Sequence, residues 1–312
     1  MKLIYVLLLS LVIKTHAQTQ RLEFEAPAAY PEGITFDQRL QVFYVSSVTD
    51  GTVGKVDLSG NYSVLYRDST LRSTFGMKLS ADGKKLWVCV GNPNYSKQKD
   101  SATYKKMIRL IGIALDKQQK IADIDLSSLF PGKHFPNDIT LDNSGNIYMT
   151  DSFSPVIYKI DATGNPTLFA QHELFKAVGV GLNGIVWHPK GFLLVVNNGN
   201  GSLIKVTGST APSLVKINQF FPGADGLLLD REQRLILVQN KSVNKVFQLT
   251  SKDDWKSAEV TGATASKDLF VYPSTATFRE GNVWVMNAKL NELSDSNTVV
   301  SNRFSIQKAV IK

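Results

Sequence analysis

Four oxygen-bearing residues, Glu32, Asn137, Asn183 and Asp225, each stand at the head of a short apolar run of strand-like composition. They occur in Pro-Glu-Gly-Ile-Thr-Phe-Asp, Pro-Asn-Asp-Ile-Thr-Leu-Asp, Leu-Asn-Gly-Ile-Val-Trp and Ala-Asp-Gly-Leu-Leu-Leu-Asp. Two carboxylates and two amides supply hard oxygen donors and two negative charges. That set suits a hard divalent cation, most naturally calcium with another divalent ion as substitute, and it leaves positions for water or substrate. Zinc is not indicated, because the chain has one thiol and His134, His172 and His188 show no ligand spacing. No nucleophilic Ser or Cys stands at a recognisable distance from a base, so a triad hydrolase is not indicated either.

Each of the four is also ordinary turn chemistry when taken singly, since Asn, Asp and Glu before Gly cap local backbone groups and Gly accepts positive φ. Turn chemistry explains polarity at every repeat start. It does not require two acids and two amides on one ring, and the spacing argues for a ring. Phe75-Gly76-Met77 and Ser274-Thr275-Ala276 share the pattern without the strong ligand, which makes six copies beginning at 32, 75, 137, 183, 225 and 274. The intervals of 43, 62, 46, 42 and 49 between these positions fit a four-stranded propeller blade rather than a helical solenoid.

The elements needed to position those residues are legible as short aliphatic and aromatic runs between Asn, Asp, Gly, Ser and Pro clusters. The third copy runs through Asn137 to Asp142, the turn Asn143-Ser144-Gly145-Asn146, then Ile147 to Asp151 and Val156 to Asp161; copies one and five repeat the arrangement. Only Gln171 to Val178 and Lys252 to Ala258 could hold a helical turn. The expected fold is therefore all-β, a six-bladed propeller of four-stranded blades. Arg21 to Glu25 and Phe304 to Val310 remain to close the ring by pairing in the last blade, which removes an open sheet edge.

If each first strand starts at the ligand face, the loops joining second to third strands lie beside the site: Ser46 to Thr52, Gly91 to Lys106, Asp151 to Pro155, Asn197 to Ser202, Gln239 to Asn244 and Asn287 to Thr298. The Gly91 to Lys106 insertion is long enough to act as a lid. Phe75, Asp151, Asn198 and Ser274 are the expected pocket residues, and His188 falls on the opposite face. His134, three residues before Asn137, reads as a surface-loop histidine.

The set Pro-Glu-Gly, Pro-Asn-Asp, Asn-Gly and Asp-Gly, in this order and at blade spacing, resembles the gluconolactonase and regucalcin (senescence marker protein) superfamily, whose relatives include diisopropylfluorophosphatase and the paraoxonases. The resemblance implies a six-bladed propeller with a central calcium held by Glu32, Asn137, Asn183 and Asp225. It also implies Asp225 as general base, or as nucleophile in a phosphotriesterase-like variant, and a small-molecule lactone or related ester as substrate. A non-catalytic binding propeller with a structural cation is the alternative; lyase or synthase chemistry is less supported, for want of a well-placed acid.

The N-terminus carries Lys2, the apolar run Leu3 to Ile13 and Thr15-His16-Ala17, a pattern that fits a secretory signal peptide over residues 1–17. The run is too short to span a bilayer. A soluble product of one domain, residues 18–312, is expected in the periplasm or the medium, with no membrane association after cleavage. The formal charge of +8 becomes +6 without Lys2 and Lys14 and is diffuse, with no recognisable nucleic-acid module. Cys89 lies in an apolar run and excludes an internal disulfide. Stability must then come from a large core. Asn-x-Ser sequons occur at Asn61, Asn94, Asn200 and Asn240. Oligomeric state has no sequence signal.

Overall fold

The computed structural model describes residues 20–312 apart from 99, 210, 242 and 296; the expected signal peptide lies outside these residues. The chain forms six four-stranded antiparallel sheets. The first comprises β2 (Ile34–Asp37), β3 (Val42–Val45), β4 (Val53–Asp57) and β5 (Tyr62–Tyr66), and the second β6 (Ser73–Leu79), β7 (Lys85–Gly91), β8 (Ile108–Ala114) and β9 (Gln119–Asp125). The third holds β10 (Pro136–Leu141), β11 (Ile147–Asp151), β12 (Val156–Ile160) and β13 (Pro166–Gln171), and the fourth β14 (Leu182–His188), β15 (Phe192–Asn197), β16 (Leu203–Val206) and β17 (Pro212–Leu214). The fifth is β18 (Ala224–Leu229), β19 (Leu235–Gln239), β20 (Lys245–Thr250) and β21 (Glu259–Ala263). The sixth places β22 (Pro273–Arg279), β23 (Asn282–Asn287) and β24 (Arg303–Lys308) beside the N-terminal strand β1 (Arg21–Glu25).

The innermost strands β2, β6, β10, β14, β18 and β22 contact one another in a closed ring. The structure is thus a six-bladed propeller. Its last blade is completed by β1, paired with β24 from Arg21 opposite Gln307 to Glu25 opposite Arg303. Radial position explains the burial pattern. The second strands β11 and β15 are buried along their whole length, whereas the outermost β9 alternates exposed and half-buried residues with the pleat.

Asp57, Asp142 and Asp161 build the hairpin turns on the face opposite the strand starts. Each Oδ1 accepts the backbone N–H groups two and four residues on, at 2.8–2.9 Å. The following Gly60, Gly145 and Gly164 have φ of 88°, 83° and 97°, so glycine is needed there for its left-handed backbone. Among the described residues helix is confined to short 3-10 turns at Glu173–Phe175, Ser266–Asp268 and Leu290–Ser294. The expected helical turn at 252–258 is absent, because Asp253 and Ser251 side chains bond its backbone N–H groups in a non-helical turn. No helix among the described residues is long and apolar enough to cross a membrane. Cys89 is fully buried, and burial pushes its thiol pKa up, as suits an inert core residue.

Candidate functional site

Five of the six inner strands share one irregularity. The ladder slips between Thr74 and Met77, Pro136 and Ile139, Leu182 and Ile185, Ala224 and Leu227, and Pro273 and Ala276. Each slip spans the pair that opens a repeat: Phe75-Gly76, Asn137-Asp138, Asn183-Gly184, Asp225-Gly226 and Ser274-Thr275. A bulge of this kind re-aims side chains at the end of a strand. Here it lies at the hub in blade after blade, with Glu32-Gly33 immediately ahead of β2.

The glycines in these pairs are not turn residues. Gly33, Gly76, Gly184 and Gly226 lie outside the left-handed region. A Cβ on Gly33 would strike the carbonyl oxygen of Phe75, one on Gly184 that of Asp225, and one on Gly226 would come within 2.7 Å of Thr275 Cα. The backbone of each blade start therefore presses on the next. Turn chemistry is displaced as the explanation of these motifs by close packing around the axis.

Glu32, Asn137, Asn183 and Asp225 line one cavity of about 100 Å³. All four are buried, at 3–5 % exposure, and each carries one side-chain oxygen with no hydrogen-bond partner: Glu32 Oε2, Asn137 Oδ1, Asn183 Oδ1 and Asp225 Oδ1. Buried polar atoms are almost always paired, so four orphaned acceptor oxygens on four blades around one space call for an occupant that coordinates them or donates to them. A cation satisfies that requirement, and the donor set is the hard one expected. Among the described residues no group of three or more His, Cys, Asp and Glu side chains is arranged to hold a metal, which fits a site that is half amide.

The electrostatics agree. Burial, then the carboxylates of Asp225 and Asp138, pushes Glu32 well above the usual carboxylate range; burial and Asp138 push Asp225 up, against hydrogen bonds from Asn240 and Asn183 and the nearby Lys241 charge. Asp138 is also raised, by burial. Three buried carboxyl groups opposed chiefly by Lys78 and Lys241 are thus held toward the protonated form unless a further positive charge joins them.

The remaining geometry is positional. Glu32 is held through its backbone: its carbonyl accepts from Ser274 Oγ at 2.6 Å and Thr275 Oγ1 at 2.7 Å, and its N–H donates to Ser46 Oγ at 3.1 Å. Asn240, which the motif reading missed, donates from Nδ2 to Asp225 Oδ2 at 2.6 Å and has an orphaned, buried Oδ1. It occupies a sequon, yet it is spent in the cavity wall. Phe75 and Asn198 line the cavity, joined by Tyr95, Phe135, Val180, Tyr272 and Leu290. Burial pushes the Tyr95 hydroxyl up to about 12.

Ser274 and Asp151 do not line it. Ser274 has no exposed surface because its hydroxyl is turned onto the Glu32 carbonyl. Asp151 ends β11, and its Oδ1 accepts the N–H groups of Phe135, Phe153 and Ser154 while Oδ2 meets His134 Nδ1 at 2.7 Å. His134 is accordingly 2 % exposed, a buried partner and not a surface-loop residue. The loops between second and third strands do reach the site, supplying Tyr95, Asn198, Asn240, Lys241, Leu290 and Ser294. His188 lies on the other face, beside Lys190 and Trp255.

The sequence matches no protein-family model and no curated protein. Solved structures do share its shape. The major allergen Mala s 1 of Malassezia sympodialis is 17 % identical with a TM-score of 0.74, over 94 % of this chain and 96 % of that one. Virginiamycin B lyase from Staphylococcus aureus is 15 % identical at TM-score 0.59, over 94 % and 100 %. A structural-genomics target that is a gluconolactonase candidate is 17 % identical at TM-score 0.63, over 96 % and 94 %. An allergen, a lyase and a lactonase candidate have this one architecture, so the likeness gives the fold and leaves function to the site. The superfamily that the four motifs resemble is represented among these propellers by the gluconolactonase candidate.

Proposed function

We propose that this chain is an exported calcium-dependent hydrolase of lactones or related esters, with its site on the propeller axis. The observation that carries the reading is the set of four buried, partnerless oxygens of Glu32, Asn137, Asn183 and Asp225 around a single cavity. These residues would hold the cation, and another divalent ion could replace calcium. A bound cation supplies Lewis-acid polarisation of a carbonyl.

The chain's own residues supply the rest. Asp225, oriented by Asn240, takes a proton from water as that water adds to the carbonyl carbon; the acyl C–O bond breaks and the proton passes to the departing alkoxide, giving a hydroxy acid from a lactone.

A second reading is a binding propeller with a structural cation, and the small cavity favours it, since sites for drug-sized ligands usually enclose some 300–1,000 Å³. Metal analysis of the mature protein beside Glu32→Gln and Asp225→Asn separates the cases. Unchanged calcium content in both variants removes the site. Calcium loss without metal-dependent turnover of any lactone, aryl ester or phosphotriester leaves the structural reading.

A further inference from the structure

The cavity wall divides its unpartnered groups between acceptors and donors. The blade starts, with Asn240 beside them, contribute the five buried oxygens that can only accept. The loops contribute donors to the same cavity: Lys241 from the β19–β20 connection, Tyr95 from β7–β8, Ser294 from β23–β24 and Tyr272 immediately before β22. The Tyr95 and Tyr272 hydroxyls have no hydrogen-bond partner among the described residues. Burial raises the pKa of both, and the Asp225 charge adds to each shift, so both hydroxyls lie within electrostatic range of one acid.

Lys241 is the donor that carries charge. Its ammonium has three N–H bonds to give, and one reaches the buried Asn198 Oδ1 at 3.0 Å. Among the described residues no carboxylate pairs with it. The charge balance of the site gives that ammonium a task. Glu32, Asp138 and Asp225, ionised around a divalent cation, would carry three negative charges, while the cation with Lys78 and Lys241 would carry four positive ones. The surplus lies at the cavity wall on Lys241 and attracts an anion of single charge. The space of about 100 Å³ is roughly three waters' worth, room for a cation and the two oxygens of a carboxylate.

We propose that the axial site takes a small monocarboxylate, its head group held between the cation site and the donors Lys241 Nζ, Tyr95 Oη and Tyr272 Oη. The inference rests on the cation reading of the site and is independent of hydrolysis. The mature protein is first titrated with calcium. The calcium-loaded form is then titrated by calorimetry with propionate and with its neutral isostere propionamide, in the wild type and in Lys241→Met.

Propionate should bind the wild type at least about tenfold more tightly than propionamide, the scale of a hydrogen bond between charged partners. Lys241→Met should remove most of that preference, leave propionamide binding unmoved and bind calcium as tightly as the wild type or more so, since a like charge has gone. Equal binding of acid and amide, no propionate binding, or a preference that survives Lys241→Met overturns the inference with the cation site intact. Weaker calcium binding in Lys241→Met overturns it too, because the lysine would then support the site's structure and not a ligand. Absence of calcium binding in the wild type removes the cation reading, and the inference falls with it.

Discussion

Asn240 Nδ2 donates to Asp225 Oδ2 at 2.6 Å, and Asp225 Oδ1 and Asn240 Oδ1 are both buried without a partner. One amide thus holds the acid that the proposed mechanism uses and adds a fifth partnerless oxygen to the residues lining the cavity. Substituting Asn240 by Ala removes both contributions, and support of this kind is typically worth about 10–100-fold in metal affinity. Calcium titration calorimetry of Asn240→Ala should show that loss with the circular dichroism spectrum unchanged. Wild-type affinity would mean that Asn240 neither orients Asp225 nor faces the cation.

The close approach of Gly33 to the Phe75 carbonyl, and of Gly184 to that of Asp225, yields a stability prediction. Gly33→Ala or Gly184→Ala forces two blades apart at the hub, and overpacking of this kind costs about 1–3 kcal/mol. Denaturant unfolding measures it, and calcium affinity should fall in parallel if, as proposed, the blade starts supply the ligands. A Gly→Ala change tolerated at both positions would contradict the hub packing.

Those glycines also show how far the sequence could be read. Six repeats, strand boundaries and ring closure were legible because strand period and turn punctuation are local signals. Glu32, Asn137, Asn183 and Asp225 were legible because each heads its own repeat. What the glycines do was not legible: one-dimensional motif chemistry offers positive φ, whereas for Gly33 the cause is the Phe75 carbonyl and for Gly184 the Asp225 carbonyl, each a whole blade away in the chain. Asn240, Tyr95 and Tyr272 lie on loops whose aim only packing decides. Asp151 was expected in the pocket because β11 ends on the ligand face, yet three backbone N–H groups and His134 turn its carboxylate to a different task.

Closure by β1 makes the N-terminal strand a stability element. Phe24 is 2 % exposed, with its ring centroid 6.2 Å from those of both Phe304 and Tyr62, so it joins the last blade to the first. Phe24→Ala should cost about 3–5 kcal/mol, the usual range for a buried phenylalanine. Unfolding in urea tests this. A chain lacking residues 18–25 should expose the edge of β24 and aggregate at concentrations where the full chain stays monodisperse by light scattering. Undiminished stability and solubility in both cases would show that the ring closes without β1.

His188, on the face away from the cavity, gives the protein an acid-sensitive point independent of the site. It is 2 % exposed, stacks on Phe192 with centroids 4.3 Å apart, and accepts the Lys190 N–H at Nδ1, 3.2 Å away. Burial, aided by the Lys190 and Lys205 charges, lowers its pKa from 6.5 to about 4. The folded state therefore binds the proton less readily than the unfolded chain. Its stabilising effect is complete above pH 6.5 and is lost progressively as pH falls toward 4. His188→Asn keeps an acceptor for Lys190 but cannot titrate. Thermal melts between pH 7.5 and 4 should show the wild type losing more stability than the variant, with the difference developing below pH 6.5. Parallel melting curves across that range would mean that His188 is not buried as the neutral imidazole.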